Sequence, residues 1–269
     1  MFEHAVVGVD FSPASEAIVG CLPELRALGT DTLSLAYVAS VAYPAGSAIA
    51  HQDHYRARLA ELAAGIREHG FAVHSDVVAG YPAVELIALA ERVGAGLIVL
   101  GSRGHSMVQR LFLGSTALKV LHDSPTAVLL ERIEPVSDHA SDLVCERKLE
   151  RVLLATDMTE AAMPATNAWL SLVRSARAVA AVTVIDAQGE GDAAVARAHL
   201  EQLVAGVEVP VALHVVASPD AAEAIATLAK VEGVSLVILG RGGHGGRRLG
   251  ATADGVVRRS EVPVLVLPH

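Results

Sequence analysis

Gly101-Ser102-Arg103-Gly104 is followed, nine residues on, by Gly114-Ser115-Thr116. Glycine lets a backbone come close to a ligand and adopt positive φ. The stretch follows Leu97-Ile98-Val99-Leu100, a short apolar run of β character. It precedes Ala117-Leu118-Lys119-Val120-Leu121, which has helical character. The whole therefore reads as strand, glycine loop, helix. A helix N-terminus offers unpaired N–H groups and the positive end of a dipole. Joined to a glycine loop, it makes an anion site, most often for phosphate. Backbone N–H groups and the hydroxyls of Ser115 and Thr116 satisfy phosphate oxygens, and Arg103 adds charge-assisted hydrogen bonds.

Other chemistry is sparser. Gly114-Ser115-Thr116 lacks the lysine of a Walker loop, so no lysine bridges the phosphates. No Gly-x-Ser-x-Gly elbow and no Cys–His pairing stands out. His51 and His54, with Asp53 between them, do not complete a metal-ligand set. His105 and His244 each follow a loop glycine and read as exposed loop residues. Arg247-Arg248 and Arg258-Arg259 form a small basic patch that reads as a solvated helix face. Cys21 and Cys145 show no motif spacing, and unpaired thiols in a reducing cytosol are expected.

The elements that must position these residues occur twice. In the first half, strands are expected at Ala5–Val9, Leu33–Val38, Val73–Val78, Leu97–Leu100 and Pro125–Leu130. Helices are expected from Ser12-Pro13 to about Leu28, over His54–His69, over Ala83–Val93 and after the glycine loop. Residues 41–52 read as irregular. Ser12 supplies an N-cap and Pro13 the first helical position. The pattern restarts at Arg151-Val152-Leu153-Leu154-Ala155-Thr156-Asp157, with Asp157 in the place of Asp10 and Thr159 in that of Ser12. Further strands are expected at Ala181–Ile185, Val211–Val216, Leu236–Leu239 and Val262–Leu267, with a helix over Ala221–Val231. Met163 and Trp169 are expected in the core. Gly240-Arg241-Gly242-Gly243-His244 matches Gly101-Ser102-Arg103-Gly104-His105. A repeat of this length means a duplicated domain. The halves are 1–134 and 149–269, joined by a more polar linker at 135–148.

The 269 residues suffice for two ordinary domains, and 52% hydrophobic with only 3% aromatic suits buried parallel strands and Ala-rich helices. Strands alternating with helices imply a doubly wound α/β fold. Ligands in such a fold bind beyond the C-terminal strand ends, where the strand order reverses. A net charge of −9 argues against a nucleic-acid surface. No apolar run is long enough for a bilayer, and the start Met1-Phe2-Glu3-His4 does not suggest a signal peptide.

With these residues in place, the chain resembles the universal stress protein family, in a tandem form with two such domains in one polypeptide. Its nucleotide-binding members are similar in carrying G-x2-G-x9-G-[S/T] after strand 4, the spacing of Gly101, Gly104, Gly114 and Ser115. The resemblance implies five-stranded parallel sheets of order 3-2-1-4-5 with helices on both faces. It implies ATP or AMP as ligand, with or without Mg²⁺. It implies dimer contacts through the fifth strands, made between the two halves of one chain or in a homodimer. On this resemblance Asp10 and Val38 contact adenine, and Leu100 and Gly101 lie near the ribose. Arg103, Gly104, Gly114, Ser115 and Thr116 hold the phosphates. A cytoplasmic stress-response protein follows, acting as a nucleotide-dependent switch or as an interaction module for a protein partner. Phosphorylation at Ser115 or Thr116 is a further implication.

The second half departs from the pattern. Six residues separate Gly243 from Gly250, so its loop is three residues shorter, and Ala251-Thr252 replaces Ser115-Thr116. One competent nucleotide site, in the first half, is therefore expected. The alternatives are a nucleotide-independent scaffold, in which the glycine loop is structural, and a slow ATP hydrolase. No catalytic set is found, so any ATPase activity is expected to be weak.

Overall fold

The computed structural model describes residues 1–40, 52–102, 113–132, 147–176, 178–185, 190–242 and 249–268. They divide into two compact units, Met1–Glu146 and Arg147–His269.

The first unit runs β1 (His4–Val9), α1 (Pro13–Cys21), β2 (Thr32–Ser40), α2 (Gln52–Glu68), β3 (Ala72–Gly80), α3 (Pro82–Val93), β4 (Leu97–Gly101), α4 (Ser115–Asp123) and β5 (Ala127–Glu131). Its strands are parallel in the order β3-β2-β1-β4-β5. Successive strand residues point to opposite faces. Ala5, Val6 and Val7 are all 0% exposed, so both faces of the sheet are covered. That is why these strands read as unbroken apolar runs rather than alternating ones.

Ser12 caps α1 as expected, its Oγ accepting from Ser15 N at 3.1 Å, with Pro13 at the helix start. The helix does not run on to Leu28. Pro23 has no N–H to give and its ring crowds the carbonyl four residues back. The chain therefore tightens into a 3₁₀ helix over Leu22–Leu28, which closes on Gly29 at φ 85°. The irregular stretch expected over 41–52 lies outside the described residues except for Gln52, which begins α2.

The second unit runs β6 (Arg151–Ala155), α5 (Met163–Leu172), β7 (Ala178–Ile185), α6 (Glu190–Val204), β8 (Val211–Ala217), α7 (Ala221–Val231), β9 (Leu236–Gly240), α8 (Ala251–Arg259) and β10 (Val264–Leu267). Its order β8-β7-β6-β9-β10 repeats that of the first unit. Helix α6 was not anticipated from the sequence. β5 and β10 begin two residues later than expected, past Pro125 and Pro263, which have no N–H for a ladder.

Three expectations are corrected. Thr159 makes no side-chain cap; a 3₁₀ turn over Glu160–Ala162 precedes α5 instead. Met163 is 46% exposed, while Trp169 is fully buried. Cys21 is disulfide-bonded, not a free thiol. The chain's other cysteine, Cys145, lies outside the described residues.

Candidate functional site

The strand order of the first unit reverses between β1 and β4, so a crevice opens at their C-terminal ends. Asp10 follows β1 directly. Its Oδ1 accepts from Ser12 N at 3.0 Å and from Ser12 Oγ at 2.6 Å. Its own N–H donates to Ser15 Oγ at 3.1 Å. This tight turn holds Phe11 in the left-handed region at φ 57°. For a residue with a side chain that conformation costs about 1–2 kcal/mol. Asp10 Oδ2 takes no hydrogen bond among the described residues.

The neighbours of Asp10 fall as the register dictates. Val9 faces Tyr37 across β1 and β2, so half-buried Val38 comes opposite Asp10. Leu100 is buried and lies across β1. A Cβ at position 8 would sit 2.6 Å from Leu100 Cδ2, so Gly8 is the residue that allows this approach. Gly101 ends β4 and pairs with Glu131.

The glycine loop is pinched at its base. Ser102 N donates to Glu131 O at 3.0 Å, and Gly114 N donates to Ser102 O at 3.0 Å. Ser102 is buried there, a structural residue that the spacing motif skips over. Gly114 precedes α4 without any side-chain cap. The first bond of that helix is Leu118 N to Gly114 O at 2.9 Å. The N–H groups of Ser115, Thr116 and Ala117 are thus left without an intrahelical partner. No acid lies in this first turn. Ser115 is exposed and Thr116 half-buried. Arg103 and Gly104 lie outside the described residues.

The second unit repeats the frame and changes the fittings. Asp157 Oδ1 accepts from Thr159 N at 3.0 Å and Thr159 Oγ1 at 2.6 Å, with Met158 at φ 60°. Arg241 N donates to Leu267 O at 2.8 Å, and Gly250 N to Arg241 O at 2.8 Å. The turn and the pinch are those of the first unit, with Arg241 in the place of Ser102. Asp254, however, stands where the first unit has Leu118, its N donating to Gly250 O at 2.9 Å. It puts a carboxylate into the first turn of α8, where it already answers the helix dipole. Arg258 Nε donates to Asp254 Oδ2 at 2.8 Å, and this bond holds the Arg258 guanidinium above its ordinary pKa. Arg259 pairs with Asp220 at 3.2 Å and Glu223 at 3.3 Å. The Arg258-Arg259 patch is therefore neutralised by acids rather than open.

Sequence reasoning missed an aromatic cluster beside Asp10. Phe11 and Tyr37 have ring centroids 5.2 Å apart, Phe11 and Tyr55 5.7 Å, and Tyr37 and Tyr55 4.2 Å. The Arg58 guanidinium lies 4.3 Å from the Phe11 centroid and is held by Glu16 at 2.8 Å. Burial pushes the Tyr37 phenol up, and a hydrogen bond that it donates to Tyr55 and the charge of Asp10 add to it. The available signal was compositional. Phe11 follows Asp10 and Tyr37 precedes Val38 in a chain otherwise poor in rings, but only the fold brings Tyr55 to them.

At the opposite end of the same sheet lies a concavity of about 420 Å³ lined by His4, Ser34, His74, Asp76 and Arg92 among others. His4 Nε2 is 2.9 Å from Ser34 Oγ. Burial, then His74, lowers the His4 pKa below its usual 6.5. Asp76 is engaged by Arg92 at 3.2 Å. Among the described residues no group of three or more potential ligands is placed to hold a metal ion. His54 packs edge-on against Tyr55 at 5.6 Å, and His51 lies outside the described residues. No described helix is long and apolar enough to cross a membrane.

Comparison with known proteins bears on all of this. The model of the universal stress protein family matches residues 1–132 and 148–268. Universal stress protein A homolog 1 of Coxiella burnetii is 28% identical over 139 residues, covering 48% of this chain and 94% of that protein. Universal stress protein MJ0531 of Methanocaldococcus jannaschii is 36% identical over 63 residues, covering 23% of this chain. The match spans only 37% of that relative's length. The crystal structure of a universal stress protein from Archaeoglobus fulgidus superposes with a TM-score of 0.82 at 24% identity, covering 100% of this chain and 99% of that one. A Pseudomonas aeruginosa protein described as functionally unknown, PA1789, gives 0.70 at 18% identity, covering 99% of this chain and 93% of that one. These two likenesses concern the fold alone. The chain belongs to the universal stress protein family.

Proposed function

We propose that this member of the universal stress protein family binds one adenine nucleotide, ATP or AMP with or without Mg²⁺, in the crevice of its first half. The observation that carries the reading is the start of α4. The bond from Gly114 N to Ser102 O ties that helix end to the end of β4, and three N–H groups there have no intrahelical partner. Such a terminus favours a phosphate. Ser115 and Thr116 add hydroxyls, with Arg103 and Gly104 completing the phosphate loop. Asp10 brings an oxygen without a hydrogen bond among the described residues for the base or sugar, beside Val38, Leu100 and Gly101.

On this reading residues 1–134 are the nucleotide-binding domain, 135–148 the linker, and 149–269 a domain without a nucleotide. Asp254 at the start of α8 and the shortened loop disfavour a phosphate there. Nucleotide held by the Gly101–Thr116 loop would alter a surface that a protein partner reads in the cytoplasm. No catalytic residue is assigned. Pairing of the two halves through their fifth strands belongs to the same proposal; sedimentation of the intact chain as a monomer supports it, and a dimer favours pairing between chains.

The first experiment is to denature freshly purified protein and identify released small molecules by mass spectrometry, alongside calorimetric titration with ATP. About one adenine nucleotide per chain supports the reading. Two per chain overturns the single site, and a chain that is empty and takes up no ATP overturns nucleotide binding. In that last case the scaffold reading gains. It is favoured by the second unit, which keeps the Asp157 turn and the bond from Gly250 N to Arg241 O with a shorter loop. ADP or AMP formed from added ATP favours the slow hydrolase.

A further inference from the structure

We propose that the concavity at the other end of the first unit's sheet, under the last turn of α3, binds a small oxyanion, a carboxylate or a phosphate, between the imidazoles of His4 and His74. This site is separate from the nucleotide crevice and does not depend on what that crevice holds.

Position is the first argument. His4 and Val6 lie on one face of β1; Val6 pairs with Ser34, and Ser34 pairs in turn with His74. His4, Ser34, His74 and Asp76 therefore share one face of the sheet. It is the face that α3 covers, since a Cβ at Gly8, four residues on from His4, would meet Leu86. Polar groups under a helix cost free energy unless something answers them. His4 Nε2 is 2.9 Å from Ser34 Oγ, and the His4 and His74 ring centroids are 6.4 Å apart. The lining carboxylate, Asp76, is already taken by Arg92 at 3.2 Å.

Charge is the second. Burial opposes a proton on His4, and His74 opposes it further, while the Val93 carbonyl and Asp31 favour it more weakly. The titratable and charged groups around His4 are thus His74 and Asp76 from β3, Asp31 just before β2, and Arg92 from α3. An oxyanion seated between the rings reverses both penalties. Its oxygens replace the water lost from the imidazolium, and its charge attracts both rings. Binding is then tied to proton uptake. Once both nitrogens of His4 are protonated, Nε2 donates to Ser34 Oγ, and the serine hydrogen is free to turn to the anion.

The third argument is the control built into the duplication. Ala5 pairs with Leu97 and Val152 with Leu236, so Arg151 is the counterpart of His4. The registers continue as Ala5–Leu33–Val73 and Val152–Val179–Val211, which makes His214 the counterpart of Asp76. Ala95 N donates to Ala90 O and Val234 N to Ala229 O, so Glu232 stands where the first unit has Val93. The Glu232 carboxylate pairs with Arg151 and lies 3.4 Å from His214 Nε2. The second unit thus carries its own oxyanion at this place, between a guanidinium and an imidazole. The first unit keeps imidazoles on the cationic side, but has a valine and a cavity of about 420 Å³ in place of the carboxylate. That exchange names the chemistry of the ligand.

The test uses the full-length chain and follows the His4 and His74 ring protons by NMR. Sodium acetate and sodium phosphate are the probes, with sodium chloride at matched ionic strength as the control. Acetate or phosphate should raise the pH midpoint of His4 above its value in chloride. The apparent affinity should tighten as pH falls, by up to about tenfold per pH unit for one linked proton. A response to acetate alone assigns a carboxylate ligand, and a response to phosphate alone assigns a phosphate. Val93→Glu supplies the second unit's carboxylate; it should raise the His4 midpoint with no probe present and abolish the response to both probes. Midpoints equal in acetate, phosphate and chloride overturn the site. A probe response that survives in folded Val93→Glu also overturns it, since the anion then binds elsewhere. If Val93→Glu does not fold, the parent's midpoints decide alone.

Discussion

Asp10 has two duties that a single amide can separate. Its Oδ1 holds the turn through Ser12 N at 3.0 Å and Ser12 Oγ at 2.6 Å, while Oδ2 makes no hydrogen bond among the described residues. Asp10→Ala removes both turn bonds. At a half-buried carboxylate these are worth about 1 kcal/mol each. Part of that loss returns, because Phe11 is freed from φ 57°, a conformation costing about 1–2 kcal/mol. The net loss should be about 1 kcal/mol. In Asp10→Asn the turn still needs an acceptor, so the amide oxygen takes the Oδ1 place. The amide NH₂ then stands where Oδ2 was, and an acceptor facing the ligand becomes a donor. Asp10→Asn should therefore stay within a few tenths of a kcal/mol of the parent yet bind ATP about 10- to 100-fold more weakly, the worth of one charged hydrogen bond. Asp157→Asn, with the same turn bonds in the second unit, should change neither quantity. Urea unfolding followed by tyrosine and Trp169 fluorescence measures stability, and calorimetric titration measures ATP affinity. If Asp10→Asn binds ATP with the parent's Kd, Oδ2 does not meet the ligand and Asp10 is a turn acid only.

Other variants probe the scaffold. Gly8→Ala puts a Cβ 2.6 Å from Leu100 Cδ2 and 3.2 Å from Leu86 Cδ1; it should cost about 1–3 kcal/mol in urea unfolding and weaken ATP by displacing Leu100. Burial and His74 hold the His4 pKa below 6.5, so the unfolded chain binds more protons just below that pH. Stability should accordingly fall as pH drops below 6.5 and level off once the depressed folded pKa is passed, a slope that His4→Gln flattens in thermal melts across pH. Trp169 is fully buried and its Nε1 has no hydrogen-bond partner among the described residues. Trp169→Phe should thus cost less than about 1.5 kcal/mol, because losing an orphan donor offsets the lost volume, whereas Trp169→Ala should cost about 3–5 kcal/mol by urea unfolding. The disulfide of Cys21 predicts a non-reduced mass 2 Da below that of the reduced chain, since forming the bond removes two hydrogens; equal masses refute it.

What the sequence made legible was what local pattern dictates. Strands buried on both faces have to be continuous apolar runs, so Ala5–Val9 and Leu97–Leu100 could be placed to within a residue. The Ser12-Pro13 helix start could be read for the same reason, since cap and proline act within one turn. What was not legible depended on distance or on angle. Tyr55 meets Phe11 only after β2 and the residues beyond it have been traversed. Cys21 gave no clue to its pairing. Met163 failed by angle: Ala165, Trp169 and Leu172 follow the i, i+4, i+7 stripe of one helix face, and residue 163 falls well off that stripe. Pro23 was a local signal passed over, and it alone moves the end of α1 from Leu28 to Cys21.

The duplication separates architecture from recognition. Both units keep an acid at the end of their first strand, a left-handed residue after it and a Ser or Thr hydroxyl on the carboxylate at 2.6 Å. A feature retained in both copies, one of them with a shortened loop, serves the strand-to-helix turn whether or not anything binds. The same holds for the pinch under the loop, at 3.0 Å in one unit and 2.8 Å in the other. If the first unit alone binds a nucleotide, recognition lies in what differs: Leu118 against Asp254 at the start of the last helix, and Ser102 against Arg241 at the pinch. Each difference acts in one direction. A neutral helix start admits a phosphate where a carboxylate repels it. A small buried serine occupies the position where the second unit buries a long cationic arginine. Both changes favour a nucleotide in the first unit and disfavour one in the second, and the proposed site rests on their agreement as well as on the glycine motif.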